Sequence, residues 1–352
     1  LDDAAGAYRL AAAHAAESPV MAADAEFHAG WYAFRGMGDA AAGARHFARI
    51  AAIADGPISL SRAYYWLGRA AEAGGPGDAH GFYERAAVHG TAFYGQLAAA
   101  RLGRTTPPAR SPSASDADRD AFERRPAVRA IRRLEQAGHP RLAESLYRAL
   151  AQELTGAGEV ALLAAMAERQ GNHFLALRVG KWAAARGVAV GLLAHPVGVI
   201  PSTAEISGAG KALAYAIARQ ESEFNIAARS GAGALGLLQL LPGTAQDMAR
   251  KAGIDWSLAK LTTDAGYNAT LGAAYLDEQL ARFSGSYVLT FAGYNAGPRR
   301  AQQWMERYGD PRGRTVEEVV DWIERIPFTE TRSYVQRVME NYQVYKMRLS
   351  GR

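Results

Sequence analysis

The sequence of 352 residues contains no cysteine, which excludes disulfide bonds and metal sites built on thiolates. Valine, isoleucine and threonine are sparse beside the abundant alanine, and this composition favours helix over strand nearly everywhere. Long apolar runs are also missing. The longest, Val188 to Ile200, is interrupted by His195 and Pro196 and is too short to span a bilayer. A mainly helical globular protein is therefore expected.

A signal-peptide pattern is also absent, and because the chain begins at Leu1 we expect that an upstream segment was removed. The net charge of +5 suits an acidic polymer such as nucleic acid, an anionic glycan or a lipid surface, although many basic proteins bind none of these. The eight histidines are scattered, and neither HExxH nor an EF-hand loop occurs. We therefore expect no metal and no cofactor.

The N-terminal part, residues 1–103, has the pattern of stacked helical hairpins. Small and aromatic residues recur at spacings of three and four, with glycine-rich breaks between the segments AAGARHFARIAA, RAYYWLGRAAEAGG and GDAHGFYERAAVHG. Trp66 and Gly68, followed by Tyr83, are similar to tetratricopeptide chemistry, in which small residues let helices approach and aromatic rings fill the space between hairpins. The period is irregular, so the prediction is an α-solenoid without a strict repeat.

Two breaks in composition divide the rest of the chain. Residues 104–120 (RTTPPARSPSASDADRD) are rich in proline, serine and aspartate and are predicted to be a linker or loop. Helices resume near Pro126, and residues 121–193 again have the pattern of hairpins. The break AHPVGVIPSTAEISGAG then opens a domain of different composition at 194–352. This domain is predicted to be mostly helical, with at most a small β-hairpin.

One acidic residue in this last domain lies where a helix should be apolar. Residues 211–225 (KALAYAIARQESEFN) form an unbroken helix-forming run, and Leu213, Ile217, Glu221 and Phe224 share one face of it. A buried carboxylate is costly, and its pKa rises as a general acid at neutral pH requires. A buried arginine pairing with Glu221 would explain the placement equally well on this pattern alone.

A glycine-rich segment follows, SGAGALGLLQ at 230–239. Its glycines favour a tight turn or short hairpin whose backbone approaches a ligand closely, and Gln239 offers both a donor and an acceptor. A phosphate loop is disfavoured because no Lys-Ser/Thr follows the glycines and no strand precedes them. Pro242 and Thr244 begin the next helix, which Gly253 ends.

Two further motifs lie near the C-terminus. A helix from about Asp264 leads to Phe-Ala-Gly-Tyr-Asn-Ala-Gly-Pro, where a sharp turn is expected to expose Tyr294 and Asn295; Tyr294 as core filler is the alternative. In Ile-Pro-Phe-Thr-Glu-Thr-Arg-Ser-Tyr-Val, Pro327 begins the last helix and places Glu330 in its first turn, where a negative charge suits the helix dipole. Capping alone would also explain Glu330.

The order of these motifs resembles the soluble lytic transglycosylases of bacterial cell-wall turnover, which carry a lysozyme-like catalytic domain. The resemblance rests on RQESEFN, SGAGALGLLQLLPGTA, AGYNAGP and IPFTETRSYV, and it covers roughly 200–352. The upstream helices are similar to the solenoid of these enzymes less specifically, with YYWLGRAA and TAFYGQLAA as the best segments. The family often has methionine where this chain has Leu238 and Leu241, a change that conserves volume.

The resemblance implies a peptidoglycan lytic transglycosylase with a single catalytic carboxyl group. Glu221 would protonate the glycosidic oxygen between N-acetylmuramic acid and N-acetylglucosamine. It would then act as a base on the muramyl C6 hydroxyl, which attacks C1 and leaves a 1,6-anhydromuramyl end. The substrate's own acetamido carbonyl would meet the developing positive charge, so that no water is consumed.

The resemblance also implies roles for the neighbouring residues. Ser230 and Gln239 would bind sugar, Leu238 and Leu241 would line the groove, and Tyr294, Asn295 and Glu330 would orient and support the site. The implied partners are glycan strands of peptidoglycan, with other cell-envelope proteins possible and nucleic acid excluded. The implied location is the periplasm, and the expected state is a monomer.

Two other functions fit parts of the pattern. A lysozyme-like or chitinase-like hydrolase would need a second carboxylate to position water, and the candidates near the motifs are Glu223, Asp264 and Glu330. A non-catalytic adaptor would bind glycan without cleaving it, and the presence of an intact Glu221 disfavours this function. The products released from peptidoglycan distinguish the three.

Overall fold

The computed structural model describes residues 3–13, 18–104, 111–206 and 210–350. The chain forms two compact units, Leu1–Ala109 and Arg110–Arg352. Helices account for nearly all regular structure in the described residues, and the only β pairing there consists of isolated bridges from Leu235 to Arg229 and to Leu240. The predicted fold class, mainly α with at most a small hairpin, is confirmed.

The first unit consists of helical hairpins around an aromatic core. Its helices are α1 Ala4–Ala13, α2 Pro19–Trp31 with a π-helical turn at Tyr32–Gly36, α3 Ala40–Ile53, α4 Pro57–Glu72, α5 Ala79–Ala87 and α6 Phe93–Arg101. Trp66 of α4 is completely buried, and the rings of Phe27, Phe34, Phe47 and Tyr94 surround it at centroid distances of 6.0 to 6.3 Å. Aromatic side chains thus fill the space between the hairpins.

Gly68 shows why small residues recur between these helices. A Cβ atom on Gly68 would lie 2.6 Å from the Tyr83 ring, so α4 and α5 approach at a distance that only glycine permits. The Tyr83 hydroxyl donates to Glu72 at 2.9 Å and satisfies the polar end of the ring. The expectation that small residues let the helices approach while aromatic rings fill the space between hairpins holds at Gly68 and Tyr83.

The second unit begins with five helices, α7 Asp116–Arg124, α8 Pro126–Gln136, α9 Pro140–Glu153, α10 Ala157–Arg169 and α11 His173–Ala184. The predicted linker at 104–120 is too long, and the prediction that helices resume near Pro126 is wrong. Ser115 forms a capping box with Asp118, and this starts a helix ten residues earlier. Residues 105–110 of that linker lie outside the described residues.

These five helices share one apolar core. Ile131, Tyr147, Leu150 and Leu163 are among its completely buried members. The Tyr147 hydroxyl donates to Glu135 at 2.8 Å at the edge of this core. A short 3₁₀ turn, Gly191–Ala194, then leads out of the hairpins toward the C-terminal helices.

Seven helices complete the chain: α12 Gly210–Glu221, α13 Pro242–Ala252, α14 Ala265–Arg282, α15 Tyr287–Ala296, α16 Pro298–Tyr308, α17 Val316–Glu324 and α18 Thr329–Ser350. Asp264 caps α14 through a bond from the Tyr267 backbone nitrogen, and Gly253 ends α13 in a left-handed conformation, as predicted. The apolar residues Leu213 and Ile217 of α12 are completely buried.

Helices α12 and α18 are joined by stacked aromatic rings. Tyr215 of α12 stacks on Tyr345 of α18 with centroids 5.1 Å apart, and Phe224 meets both rings edge-on. The Tyr215 hydroxyl accepts from the backbone nitrogens of Gly198 and Ile200. Tyr215 therefore holds the segment before α12 and helix α18 against the middle of α12.

Candidate active site

Glu221 is the last residue of α12, and this differs from the unbroken helix predicted for 211–225. Glu223 and Phe224 follow with φ of 51° and 70°, so two successive non-glycine residues are left-handed and the helix cannot continue. Ser222 compensates for the break, because its hydroxyl donates to the Leu237 carbonyl at 2.8 Å. Phe224 is still buried, but it packs beyond the helix rather than on its face.

The environment of Glu221 raises the pKa of its carboxyl group toward neutral pH. The Tyr334 hydroxyl donates to Glu221 Oε1 at 2.6 Å. Burial raises the pKa of Glu221, the bond from Tyr334 lowers it and the negative charge of Glu330 raises it, and together these effects bring the pKa to about 7. Among the hydrogen bonds of the described residues, no arginine or lysine binds this carboxyl group, so the alternative of a buried Arg–Glu pair is wrong.

Tyr334 was missed in the sequence. It lies in the same motif as Glu330, four residues further along α18, and therefore one helical turn away. Its pKa is raised well above the ordinary value by burial and by the charge of Glu221, so the phenol remains a donor. The spacing from Glu330 was the available signal, but it does not show that α18 passes beside Glu221.

The glycine-rich loop is held in shape by Asn268 of α14. Asn268 Oδ1 accepts from the Leu238 nitrogen at 2.8 Å, and its Nδ2 donates to the carbonyls of Leu235 and Leu261 at 3.0 Å each. Gly236 has φ of 75°, and a Cβ atom there would collide with the Leu261 carbonyl. Asn268 thus supports the loop through three hydrogen bonds, a role that the sequence pattern did not reveal.

Ser230 and Gln239 lie in this loop and bond its backbone. The exposed Ser230 hydroxyl accepts from the Ala234 nitrogen at 3.0 Å. Gln239, with φ of 50°, donates from Nε2 to the Gly236 carbonyl at 2.8 Å and to the Ala228 carbonyl at 3.3 Å. The amide oxygen of Gln239 is not used by these two bonds.

Leu238 and Leu241 have opposite exposures. The Leu238 side chain is completely buried against Gly272, where a Cβ atom would collide with it. Leu238 therefore supports the loop from behind, and the prediction that its side chain contacts sugar has to be revised. Leu241 is 49% exposed, which leaves an apolar surface beside the loop.

Tyr294 connects α15 to the loop. Its hydroxyl donates to the Leu238 carbonyl at 2.7 Å, and its ring lies 5.3 Å from that of Tyr275. Burial and the charge of Glu221 raise the pKa of Tyr294 well above its ordinary value, so Tyr294 is a protonated phenol within the field of Glu221. Tyr294 therefore interacts with Glu221 electrostatically, whereas its hydroxyl group donates its hydrogen bond to the Leu238 backbone carbonyl.

Asn295 and Glu330 lie where the end of α15 meets the start of α18. The Thr331 hydroxyl donates to Asn295 Oδ1 at 2.6 Å and fixes the turn after Tyr294 against the first turn of α18. Glu330 is exposed and acts on Glu221 through its charge. Of the other carboxylates considered for a hydrolase, Glu223 forms an ion pair with Lys181 of α11 and Asp264 caps α14.

Among the described residues, no three histidine, aspartate or glutamate side chains form a group that would hold a metal ion. None of the helices in the described ranges combines the length and the apolar character needed to cross a lipid bilayer. The site is thus a partly buried carboxyl group, two tyrosines and a rigid loop. Such an arrangement supports proton transfer to and from a bound substrate.

Family comparisons match this part of the chain. Residues 199–316 match the family described as Transglycosylase SLT domain, and residues 325–352 match the one described as Soluble lytic transglycosylase helical domain. The second match falls on α18 and not on the helices of 1–190. Over 133 residues the chain is 38% identical to the soluble lytic murein transglycosylase of Escherichia coli strain K12, which covers 38% of this chain and 20% of that protein.

Solved structures extend the likeness to nearly the whole chain. An inactive Glu-to-Gln mutant of the lytic transglycosylase Slt from Pseudomonas aeruginosa superposes with a TM-score of 0.72 at 28% identity, covering 93% of this chain and 52% of that one. The 70 kDa soluble lytic transglycosylase of Escherichia coli has the same fold, with a TM-score of 0.63 at 23% identity over 99% of this chain and 62% of that one.

The chain therefore spans about half of the length of the first solved relative, and the alignment spans a fifth of the first curated one. Within these bounds the resemblance to the soluble lytic transglycosylases is confirmed, with residues 199–316 matching the transglycosylase SLT domain.

Proposed function

We propose that this chain is a peptidoglycan lytic transglycosylase in which Glu221 acts first as acid and then as base. The proton of Glu221 passes to the glycosidic oxygen as the bond from muramyl C1 to that oxygen breaks. The C6 hydroxyl of the same muramyl residue then bonds to C1, and its proton passes to Glu221. Atoms balance without water, and the enzyme ends in its starting state.

The observation that supports this proposal most directly is the burial of Glu221 beside the Tyr334 hydroxyl, which raises the pKa of the acid. A pKa of about 7 leaves much of the population protonated at neutral pH, as an acid needs, and still permits the carboxylate to accept a proton afterwards. Tyr334 donates to Glu221 and thereby stabilises the carboxylate formed between the two steps.

The surroundings of Glu221 favour a mechanism with one carboxyl group. Most glycoside hydrolases use a pair of carboxyl groups that flank the scissile bond. Here Glu223 and Asp264 are engaged elsewhere, and Glu330 is exposed to solvent. A solved relative is described as inactive after exchange of one glutamate for glutamine, which agrees with a dominant role for a single residue.

Substrate binding is assigned to the rim of the loop and the turn after α15. Ser230 is exposed beside the loop, the free acceptor of Gln239 suits a sugar hydroxyl, and the exposed Leu241 suits an apolar sugar face. The turn after α15 is fixed by two hydrogen bonds. Tyr294 donates to the Leu238 carbonyl, and Asn295 accepts from the Thr331 hydroxyl. Another solved relative, a 70-kDa soluble lytic transglycosylase, is in complex with bulgecin A, which supports a ligand groove on this fold.

We further propose glycan strands of peptidoglycan as the partner, the periplasm as the location and a monomer as the working state. The net charge of +5 suits strands that carry lactyl and peptide carboxylates. The domain assignment follows the same reasoning, with hairpins at 1–103 and 121–193 as scaffold and 194–352 as the catalytic domain.

Product analysis tests the proposal. Purified peptidoglycan is digested with the chain, and the released fragments are measured by mass spectrometry. Lytic transglycosylation yields anhydromuramyl ends, one water lighter than the reducing ends that a hydrolase yields. Reducing ends would replace the proposal with a hydrolase, and binding without any release would replace it with an adaptor.

A further inference from the structure

Asn341 is a completely buried amide at the contact between α12 and α18. Its Oδ1 accepts two hydrogen bonds, from Arg219 Nη1 at 3.0 Å and from His195 Nε2 at 3.3 Å. Burial and the neighbouring charge of Arg219 hold the pKa of His195 well below its ordinary value, so the ring is neutral. Asn341 therefore joins three segments through one oxygen atom.

Hydrogen bonds from arginine side chains to backbone carbonyls also join the same three segments. Arg219 Nε donates to the Ala194 carbonyl at 2.8 Å, and Arg348 of α18 donates to the carbonyls of Leu192 and His195. One arginine from each helix thus binds the stretch 192–195, which connects the hairpins to α12. Hydrogen bonds from charged donors are about twice as strong as neutral ones, so these arginine bonds strongly stabilise the position of the stretch 192–195.

This cluster lies close in sequence to Glu221 and its donor. Arg219 precedes Glu221 by two residues on α12, and Asn341 follows Tyr334 by seven residues on α18. Seven residues make about two helical turns, so Asn341 and Tyr334 share a face of α18. Besides the Tyr215–Tyr345 stack, two side-chain hydrogen bonds link the helices, Arg219 to Asn341 and Tyr334 to Glu221.

We propose that Asn341 is a positioning residue that, through Arg219 and His195, fixes the end of α12 so that Glu221 meets the Tyr334 hydroxyl. The catalytic part of this proposal rests on the proposed function, and the structural part rests on the hydrogen bonds alone. Without Asn341 Oδ1, the donors of Arg219 and His195 would be left unpaired in a buried site, and α12 would shift until they found other acceptors. A shift of this helix end lengthens the bond between Glu221 and Tyr334.

The test compares two substitutions at one position. Asn341→Leu keeps the volume and removes the acceptor. Asn341→Asp keeps an acceptor for both donors and loses no bond, since Asn341 Nδ2 has no partner among the described residues. The control is Ile131→Val, which lowers stability in the core of α7–α11, a cluster that does not include Glu221.

Three quantities are measured on each variant of the full chain: the melting temperature, kcat and KM on purified glycan strands, and the pKa of Glu221. The pKa is followed by the carboxyl carbon resonance of labelled glutamate, with Glu221→Gln to assign it. Because Tyr334 lowers the pKa of Glu221, Asn341→Leu is expected to raise this pKa by about 0.5 to 1 unit. It is also expected to reduce kcat about tenfold with KM nearly unchanged.

Asn341→Asp is expected to restore most of the rate, and Ile131→Val to change only the melting temperature. An unchanged pKa of Glu221 in Asn341→Leu, with a loss of melting temperature alone, would reduce Asn341 to a packing residue. The resonance reports on the positioning even if the chain proves not to cleave glycan, so the two proposals fail separately. If Asn341→Leu does not fold, Arg219→Lys keeps the charge but cannot reach both Ala194 and Asn341, and it carries the same expectation.

Discussion

Tyr334 donates its phenolic hydrogen to Glu221 Oε1 across 2.6 Å, and 113 residues of sequence separate the two. The bond opposes the effect of burial on the pKa of Glu221 and so sets how readily this acid gives up its proton. A carboxyl group with this environment and no basic partner in the described residues defines the chemistry that the domain supports. The expectations below follow from it.

Glu221→Gln is expected to abolish turnover and to keep the fold and most of the glycan binding, because one group performs both proton transfers. General acid–base catalysis contributes about 10²- to 10⁴-fold per group. Activity on purified sacculi is compared with that of the wild type and of Glu223→Gln, a neighbouring carboxylate engaged with Lys181. Turnover within tenfold of the wild type would remove Glu221 from the mechanism.

The same substitution is expected to stabilise the protein at high pH. The folded pKa of Glu221, about 7, lies above its ordinary value of 4.5, so the protonated form favours folding. This contribution is complete below the unfolded pKa and is lost as the pH rises through about 7. Urea unfolding should show Glu221→Gln gaining about 3 kcal/mol over the wild type at pH 8 and only about 1 kcal/mol at pH 5. An equal difference at both pH values would contradict the raised pKa.

Tyr334→Phe and Glu330→Gln are expected to move the pH profile in opposite directions. Loss of the Tyr334 bond raises the pKa of Glu221, and loss of the Glu330 charge lowers it. The basic limb of kcat/KM, which reports the acid in the free enzyme, should therefore shift to higher pH in the first variant and to lower pH in the second. Shifts of the same sign in both would show that another group controls this limb.

Tyr294→Phe separates support of the loop from packing. The substitution keeps the ring contact with Tyr275 and removes the donor to the Leu238 carbonyl. A rate loss of roughly tenfold or more is expected, because the loop carrying Gln239 loses a buried bond of about 1 to 3 kcal/mol. Melting temperature and initial rate are measured together, and an unchanged rate would return Tyr294 to a simple core role.

Truncation tests where the catalytic unit begins. A fragment of residues 110–352 contains the second compact unit and is expected to fold and to cleave soluble glycan chains. A fragment of 195–352 loses the Lys181 partner of Glu223 and the Ala194 carbonyl bound by Arg219. It should melt at a lower temperature and cleave more slowly. Equal rates for the two fragments would show that the hairpins of α7–α11 contribute nothing to the site.

Much of this site could be predicted from the sequence, because its parts are local. The acid on an apolar stripe, the glycine turn and the cap at Asp264 each depend on neighbours along the chain. The helix break after Glu221 was not predictable, because Glu223 and Phe224 adopt positive φ without being glycine. Their conformation is imposed by tertiary contacts such as the edge-on packing of Phe224 against Tyr215 and Tyr345.

Contacts between helices that lie far apart in the sequence were also not predictable. Tyr334 and Asn268 act on groups 113 and 30 residues away, and a periodic pattern shows the face of a helix but not the helix that it meets. The burial of Leu238 has the same origin. Its partner Gly272 permits close packing, which the sequence of the loop alone does not reveal.

The left-handed turn at Glu223 and Phe224 also decides where Glu221 lies in the electric field of its own helix. Unpaired carbonyl groups give the C-terminal end of a helix a partial negative charge, which disfavours an ionised carboxylate there. Because α12 ends at Glu221, that carboxyl group lies at the negative pole of the helix dipole. Had α12 continued for another turn, Glu221 would lie inside the helix, where this effect largely vanishes. The turn therefore does more than end a helix: it strengthens the preference of Glu221 for its proton.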